Sequence, residues 1–372
     1  MITMDYKTKF ALLLNAARAP LEAFTKLCED YGPDALDGGG EKLWRELGLR
    51  PSTQARLDEL LRQRDWPERE LERAEKAGAR FLTVEDTEYP QQLKHLAQPP
   101  IGLYVKGGAN LSAPSVAVVG TRRCSSYGKS VAEGVGRALA RAGFPVISGG
   151  ARGIDAAGHR GCLSEGGVTV AVFGTGIDQV YPMEHRDLFR QITERGALVS
   201  EYPLGASGEP WRFPERNRII VGLANRIVVV ESPDDGGAMI TSRLALDIGR
   251  EVWCVPGRIT ETVCRGTNHL IRDGAQPLVD IEEFIQCISG HYGQLTLDLD
   301  PQEEVTTKRA APELTTDEKV VLALLQRQGS RTMDDLLSES GLSFPALQAC
   351  LLTLSANGLA ISSGPGRFSA SA

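Results

Sequence analysis

The chain has 372 residues and a net charge of −7, with 42% hydrophobic and 24% charged residues, which excludes a wholly disordered protein. No apolar run reaches the ~18 residues of a membrane-spanning helix. Residues 1–5 do not begin a signal peptide, so we expect a cytoplasmic protein with no membrane partner. The seven cysteines contain no C-x-x-C pair, which argues against a disulfide scaffold and a zinc ribbon.

Residues 1–78 are predicted to form an all-helical module, since apolar residues recur at helical spacing in 10–17 and in 57–61. Residues 47–49 (Leu-Gly-Leu) have the pattern of a helix-hairpin-helix turn, as in SAM-like modules. Such a turn can hold a nucleic-acid backbone through main-chain amides, but a plain helical packing module explains the pattern equally well.

Residues 79–288 are predicted to form a Rossmann-like α/β domain with a doubly wound parallel sheet. In its connecting segment, 79–114, residues 101–106 are predicted to be an edge strand. Beyond it, continuous apolar runs alternate with helical stretches, which indicates a parallel sheet covered on both faces. The predicted strands are 116–119, 145–147, 168–172, 197–199, 226–230 and 252–255, and the predicted helices include 129–142, 154–164, 184–194 and 239–248.

Residues 289–314 are predicted to be an acidic linker, and residues 315–372 a winged helix of three helices and a hairpin that begins with a capping box at 315–318. Its third helix contains no lysine or arginine, and residues 316–372 hold four basic and five acidic residues. A module that reads the major groove usually has a basic face, so we expect this domain to contact proteins or modulate the core.

The central region carries the charge pattern of a phosphate-binding protein. Residues 116–276 contain 19 basic and 17 acidic residues, and 18 of the 19 are arginines, which favour bidentate phosphate contacts and ring stacking. The rest of the chain contains 22 basic and 31 acidic residues. A solvated surface with a compositional bias towards arginine explains these counts equally well.

Several common catalytic motifs are absent. Residues 128–130 resemble the end of a P-loop, but Arg123 occupies the position of its first glycine, and residues 120–125 lack the G-x-G-x-x-G of dinucleotide sites. No G-x-S-x-G elbow is present, and the five histidines have no metal-ligand spacing. His159 is better explained by packing or hydrogen bonding. We therefore expect no catalytic residue, no metal and no cofactor.

Three glycine-rich turns, 120–128, 148–155 and 174–178, follow successive predicted strands. Glycine lets main-chain amides approach an anion, and each turn precedes a helix N-terminus. One such turn is often only a tight connection, but three at one sheet edge, two of them with arginine, indicate a phosphate-binding surface. The candidate binding residues here are Gly120, Thr121, Arg122, Ser126, Tyr127, Gly128, Gly149, Arg152, Gly153, Gly174 and Gly176.

Aromatic rings and guanidinium groups alternate in residues 211–218, the pattern with which proteins stack bases and neutralise phosphates of single strands. Alternatively, the two rings fill the core while the arginines pair with Glu209 and Glu215. Residues 232–243 form a further turn whose glycines can bring amides to a phosphate, or an ordinary loop with a capping aspartate. The candidates in these segments are Trp211, Arg212, Phe213, Arg216, Asn217, Arg218, Gly236, Gly237 and Thr241.

These motifs together resemble the DNA-processing protein A family (DprA/Smf). The resemblance rests on G-T-R-x-x-S-x-Y-G, S-G-G-A-R-G-I-D, F-G-T-G-I-D, S-E-Y-P, F-P-E-R-N-R-I-I-x-G-L, V-P-G and G-T-N-x-L-I, in this order between residues 89 and 280. The flanking modules also look like those of the fuller members. One departure is Gly236-Gly237 in place of an expected Ser-Gly, which removes a hydroxyl contact but keeps the main-chain amides.

The resemblance implies a protein that binds and protects single-stranded DNA during natural transformation and loads the recombinase RecA onto it. It also implies a homodimer formed through the Rossmann-like domain, without bond-making chemistry. We expect Arg122, Arg152, Arg216 and Arg218 to contact phosphates and Trp211 or Phe213 to stack on bases. The alternatives are a Rossmann-like nucleotide hydrolase or transferase, which would depend on Glu201 or Asp155, and a winged-helix transcription regulator.

Overall fold

The structure is a computed structural model that describes residues 4–36, 40–295, 314–328, 331–356, 359–364 and 367–370. The chain divides into two compact units, Met1–Leu299 and Asp300–Ala372. None of the helices in the described ranges combines the length and apolar character needed to cross a membrane.

The first unit begins with the predicted helical module. Its helices are α1 (Tyr6–Ala17), α2 (Leu21–Asp30), α3 (Glu41–Glu46), α4 (Pro51–Arg62) and α5 (Trp66–Lys76). Gly48, with φ +65°, makes the turn between α3 and α4. The amides of Leu47, Gly48 and Leu49 donate to carbonyls of α3 at 2.9, 3.0 and 3.0 Å, so the turn uses them internally. These hydrogen bonds favour the packing interpretation of the module over phosphate binding by this turn.

The predicted doubly wound sheet follows, with helices α6 (Ser126–Arg141), α7 (Ile154–Ser164), α8 (Arg186–Arg195), α9 (Arg212–Leu223), α10 (Gly237–Asp247), α11 (Arg265–Arg272) and α12 (Ile281–Leu295). Its strands are β1 (Arg80–Thr83), β2 (Gly102–Gly107), β3 (Val116–Val119), β4 (Val146–Ser148), β5 (Thr169–Phe173), β6 (Ala197–Ser200), β7 (Arg226–Val229), β8 (Glu251–Cys254) and β9 (Gln276–Pro277). Over the described residues they form one sheet in the order β1-β2-β6-β5-β4-β3-β7-β8-β9. All neighbours are parallel except the pairs β1–β2 and β2–β6.

Three details differ from the sequence-based expectation. The predicted edge strand, β2, lies inside the sheet, because β1 pairs with it on the outer side. Helix α9 begins inside the aromatic and arginine-rich segment, for which no helix was predicted. The first residues of the predicted linker 289–314 continue α12 as far as Leu295, and residues 296–313 lie outside the described residues.

Helices cover both faces of the sheet, as the continuous apolar strands predict. Ala117 and Val119 of β3 face a core shared with the helical module and with α9 and α10. The alternate residues Val116 and Val118 face α6, α7 and α12. Phe10 of α1 is fully buried in the first of these cores, and each such side chain contributes about 1.5–3 kcal/mol. The helical module is therefore packed on the sheet as part of the first unit.

The order of the strands reverses at β3. The crossover after β3 leads to β4 on one side, whereas the crossover after β7, its other neighbour, leads to β8 on the opposite side. The two connections therefore diverge at the carboxyl ends of β3 and β7 and leave a crevice between them. Open α/β sheets bind their ligands at this kind of switch point.

The second unit has the predicted winged-helix pattern. It contains α13 (Thr316–Gln328), β10 (Arg331–Thr332), α14 (Met333–Ser340), α15 (Phe344–Ala356), β11 (Ala360–Gly364) and β12 (Arg367–Ala370). The predicted capping box is present, because the Thr315 amide donates to Glu318 at 2.8 Å and the Glu318 amide donates to the Thr315 hydroxyl at 3.3 Å. Gly341, with φ +67°, makes the turn between α14 and α15.

Candidate nucleic-acid interface

A groove of about 520 Å³ opens at the switch point between β3 and β7. It is lined by the turn after β3, the turn after β4, the start of α9 and the start of α10. The predicted binding residues that line it are Gly120, Thr121, Arg122, Phe213, Arg216, Asn217, Gly236, Gly237 and Thr241. A smaller recess beside it adds Gly149 and Arg152. Segments more than 100 residues apart in the sequence thus meet at one surface.

The turn after β3 is held from below by Glu231, which follows β7 and is 1% exposed. The main-chain oxygen of Glu231 accepts from the Thr121 amide at 2.7 Å. Its carboxylate accepts from both the amide and the hydroxyl of Ser125, and that hydroxyl in turn accepts from the Gly128 amide at 3.0 Å. With this turn anchored, the side chains of Arg122 and Arg123 are exposed at the groove.

The other predicted residues of this turn lie elsewhere. A Cβ at Gly128 would lie 2.3 Å from the carboxyl carbon of Glu231, so this glycine allows helix α6 to pack on the carboxylate. Ser126 and Tyr127 line a separate cavity of about 740 Å³, which also includes Arg258 and Cys264. They do not line the groove.

The turn after β4 uses its amides internally. The carboxylate of Asp155 accepts from the amides of Gly149 and Ala151 at 3.1 and 3.3 Å. Gly153, with φ +75°, approaches the first turn so closely that a Cβ would lie 2.3 Å from the Thr121 oxygen. Since these amides already have acceptors, the predicted phosphate cradle is here a support for the neighbouring turn. Arg152 is exposed but forms an ion pair with Glu184.

Arg216, predicted to contact a phosphate, has interior partners instead. The residue is 4% exposed, and its guanidinium donates to the main-chain oxygens of Gly149 and Val172. Burial lowers its pKa to about 10, so it remains charged at neutral pH. It forms part of the groove wall and ties the start of α9 to β4 and β5, and we treat it as a positioning residue.

Arg218 also differs from the prediction. Its guanidinium donates to Glu201 at 2.5 Å, and only 14% of its side chain is exposed. It does not line the groove. Because its guanidinium is largely buried and bound to a carboxylate, it is not open to a phosphate that approaches from solvent. The cations that face the groove openly are Arg122 and Arg123.

Phe213 provides the aromatic surface of the groove. The Arg122 guanidinium lies 5.3 Å from its ring centroid, and the ring of Tyr181 lies 5.3 Å away on the rim. The turn after β5 supports this ring, because a Cβ at Gly174 would lie 2.9 Å from Phe213. The predicted residues Gly174 and Gly176 are buried behind the groove and do not line it.

Trp211 precedes helix α9 and lies outside the groove, with 45% of its surface exposed. This exposure argues against the alternative in which Trp211 fills the core. The glutamates of that alternative pair differently too: Glu215 binds Arg18 of the helical module, and Glu209 accepts from Ser207 at 3.0 Å. Arg212 donates to the Ser207 oxygen at 2.6 Å.

The turn before α10 presents a helix N-terminus to the groove. Gly236 is the N-cap, and no side chain caps the first amides, so the alternative of a capping aspartate is not observed. A Cβ at Gly237 would meet nothing within 4 Å. Thr241 is 2% exposed, and its hydroxyl donates to the Gly237 oxygen at 3.4 Å. The main chain is therefore the group that faces an anion here.

Sequence reasoning missed two groove residues whose side chains suit a nucleic acid, one arginine and one tyrosine. Arg123 follows the identified Arg122 directly and could have been found from its position in the same turn. Tyr181 lies beyond the predicted turn 174–178, and no sequence signal marked it. His159 is fully buried, with its Nδ1 2.7 Å from the Thr169 hydroxyl, which confirms its predicted packing and hydrogen-bonding role.

The carboxylates that an enzymatic function would require are engaged in structural contacts. Asp155 is bound by two amides and lies beside Arg216, and Glu201 is paired with Arg218. In the described part of the chain, no group of three or more histidine, cysteine, aspartate or glutamate residues is placed to hold a metal ion. The groove thus offers arginines, an aromatic ring and main-chain amides, which suit a polyanion with exposed bases.

Comparisons with known proteins agree with the sequence motifs. The family model for DNA recombination-mediator protein A matches residues 80–289, and the DprA winged helix domain matches residues 305–366. A putative DNA processing protein DprA of Mycobacterium tuberculosis is 34% identical over 371 residues, covering 94% of this chain and 91% of that protein. The Smf protein of a Synechocystis strain is 37% identical over 220 residues, covering 58% of this chain and 55% of that protein.

Two solved structures share the fold. DNA processing protein A from Streptococcus pneumoniae has a TM-score of 0.64 and 30% identity, covering 80% of this chain and 97% of that one. A structure that describes the single-stranded DNA binding mode of the Helicobacter pylori protein has a TM-score of 0.53 and 28% identity, covering 58% of this chain and 98% of that one. Since the family model spans more than half of the chain and the mycobacterial relative nearly all of it, the chain belongs to the DNA recombination-mediator protein A (DprA/Smf) family.

Proposed function

We propose that this protein binds single-stranded DNA in the groove between β3 and β7. The observation that carries the proposal is the position of the exposed Arg122 guanidinium against the Phe213 ring, beside an uncapped helix N-terminus. Arginine and amides suit the phosphates, and the ring suits an unpaired base. The Helicobacter pylori relative, whose structure describes a single-stranded DNA binding mode, supports the same assignment.

We further propose that the protein acts in DNA uptake during natural transformation and in recombination, in the cytoplasm. There it would protect incoming single strands and load RecA onto them as a homodimer, without catalysing a reaction itself. Family membership supports this role. Sedimentation would test the dimer, and the rate at which RecA assembles on the strand, with and without this protein, would test the loading.

Fluorescence anisotropy tests the binding directly. Labelled oligo-dT and the matching duplex are titrated with the full chain at several salt concentrations. We expect a preference for the single strand and a steep salt dependence, because binding releases condensed counterions. Equal or negligible binding of both would contradict the proposal.

The first variant to measure is Arg122→Ala. Losing one phosphate contact should reduce the slope of log K against log salt by about 0.7 to 1 and weaken binding about four- to sevenfold at physiological salt, independently of sequence. Arg190→Ala is the matched control, because Arg190 is also exposed and pairs with Glu194 on α8, away from the groove. An unchanged slope in Arg122→Ala, or an equal loss in both variants, would exclude a direct phosphate contact.

A further inference from the structure

The helical module reaches the sheet domain next to the groove through one exposed arginine. Arg18 directly follows α1, and its guanidinium lies 4.3 Å from the ring centroid of Trp211 and pairs with Glu215 of α9. Its backbone has φ +60° and ψ +41°, the left-handed region that favours glycine. A glycine would fit this conformation with less strain, so arginine is useful at this position through its side chain.

Trp211 joins this arginine to the groove. It follows Pro210, which lines the groove, and it precedes the groove aromatic Phe213 by two residues. A second guanidinium, that of Arg212, lies 5.1 Å from the same indole centroid, and 45% of Trp211 remains exposed. Proteins bind single-stranded nucleic acid with this combination, because bases stack on an exposed aromatic ring and phosphates pair with guanidinium groups.

The charge of this group suits an anion. Arg18, Trp211, Arg212 and Glu215, together the Arg18 cluster, contain two cations and one carboxylate. That carboxylate is shared, because the Tyr202 hydroxyl also donates to Glu215 at 3.0 Å. Half of the Arg18 side chain is exposed, so guanidinium donors that face away from Glu215 are open to solvent.

The Arg18 cluster is not what attaches the helical module to the sheet. Buried contacts do that: the Asn15 side-chain amide donates to the main-chain oxygen of Glu201 at 2.7 Å. The Glu70 carboxylate accepts from the main-chain amide of Leu204 at 2.7 Å and from the Tyr104 hydroxyl at 3.0 Å. Exposed ion pairs such as Arg18–Glu215 add little to stability in comparison. The position of Arg18 therefore requires another explanation.

We propose that the Arg18 cluster is a second contact for the same single-stranded DNA, which leaves the groove past Pro210 and continues over Trp211 onto the helical module. The inference rests on the proposed function and assigns a role to Arg18, which precedes the segment matched by the family model, 80–289. Arg18 binds a phosphate there, and the indole edge contacts a base. Strands long enough to reach the cluster bind more tightly than strands that fill only the groove.

The test compares oligo-dT of increasing length, from about 4 to about 16 nucleotides, on the full chain. Arg18→Gln should bind the longest strand about fourfold more weakly at physiological salt, with a salt slope lower by about 0.7, and should bind the shortest strand like the unmodified protein. Arg45→Gln is the matched control, since Arg45 is an exposed arginine of the same module that pairs with Glu41. Equal length dependence in the two variants would overturn the inference.

A second variant distinguishes DNA binding by the Arg18 cluster from a purely structural role in which the cluster only holds the helical module in place. Glu215→Gln frees Arg18 of its carboxylate, so it should tighten binding of long strands and steepen the salt slope. If the cluster only braced the module, Glu215→Gln and Arg18→Gln would change binding and thermal stability in the same direction, which would also overturn the inference. The proposed function fails separately: it requires that the unmodified protein binds the short strand and that Arg122→Ala weakens this binding.

Discussion

At the scale of single residues, burial decides which charged groups are available to a ligand. Arg122 and Arg216 both border the groove, but only Arg122 is exposed, whereas Arg216 is 4% exposed and bound to main-chain oxygens. The same distinction separates Arg218, which is paired with Glu201, from Arg123, which is open. Residue type alone allows a phosphate contact for all four, and burial leaves two of them, Arg122 and Arg123, accessible to a ligand.

The burial of His159 predicts how the stability of the protein depends on pH. Its Nδ1 donates to the Thr169 hydroxyl, which itself donates to the Val146 oxygen at 2.8 Å, while its Nε2 has no hydrogen-bond partner. Burial lowers the pKa of His159 from 6.5 to about 3. The folded state thus binds this proton less readily than the unfolded state. The contribution of neutral His159 to the free energy of unfolding is complete above pH 6.5 and is lost as the pH falls towards 3.

The expected size of this effect is about 1.4 kcal/mol per pH unit, or about 2 kcal/mol between pH 6.5 and pH 5. Denaturant titrations at pH 7 and pH 5 measure it in the unmodified protein and in His159→Gln, whose side chain does not titrate. The free energy of unfolding should fall less with acidification in the variant. Identical pH dependence in both would mean that His159 is not protonated on unfolding in this range.

At the scale of secondary-structure elements, helix α6 is positioned by one glycine. Gly128→Ala would place a methyl group 2.3 Å from the Glu231 carboxyl carbon, which must displace either α6 or the carboxylate that holds the Arg122 turn. We expect a loss of about 1–3 kcal/mol in stability together with weaker binding of single-stranded DNA. Gly237→Ala is the control for stability, because its methyl group meets nothing within 4 Å. Equal stability of the two variants would contradict the packing role of Gly128.

Elements with a local signal could be predicted from the sequence. Strands β3 to β8 were predicted with ends that differ by at most one residue, because each is a continuous apolar run in a sheet covered on both faces. The interior position of β2 was not, since it depends on antiparallel pairing with β1, whose four residues carry no distinctive pattern.

The site was predictable to the same extent. The glycine turns and the 211–218 segment indicated the sheet edge at which the candidate groove lies, because the strand order brings these segments together. The inward orientation of Arg216 was not predictable, since its acceptors, the oxygens of Gly149 and Val172, lie 67 and 44 residues earlier in the chain. Contacts of this range depend on the packing of α9 against β4 and β5, which no local pattern contains.

At the scale of the whole molecule, the acidic net charge and the arginine-rich centre have opposite effects on the binding of DNA. The chain carries −7 overall, which repels a polyanion at long range. The exposed arginines at the groove act only at short range, so binding depends on local contacts that salt screens. The winged helix belongs to the acidic part, with four basic and five acidic residues in 316–372.

Removing residues 300–372 tests whether the first unit binds single-stranded DNA without the second. The first unit has its own core, and the candidate groove lies entirely within it. Without the winged helix, affinity for single-stranded DNA should therefore stay within about twofold, and Arg122→Ala should weaken binding by the same factor in the short and the full chain, as for independent sites. Because the third helix of the winged helix contains no lysine or arginine, duplex binding should not fall either. Anisotropy titrations of the four proteins measure these effects, and a marked loss of duplex binding on truncation would show that the winged helix contacts DNA directly.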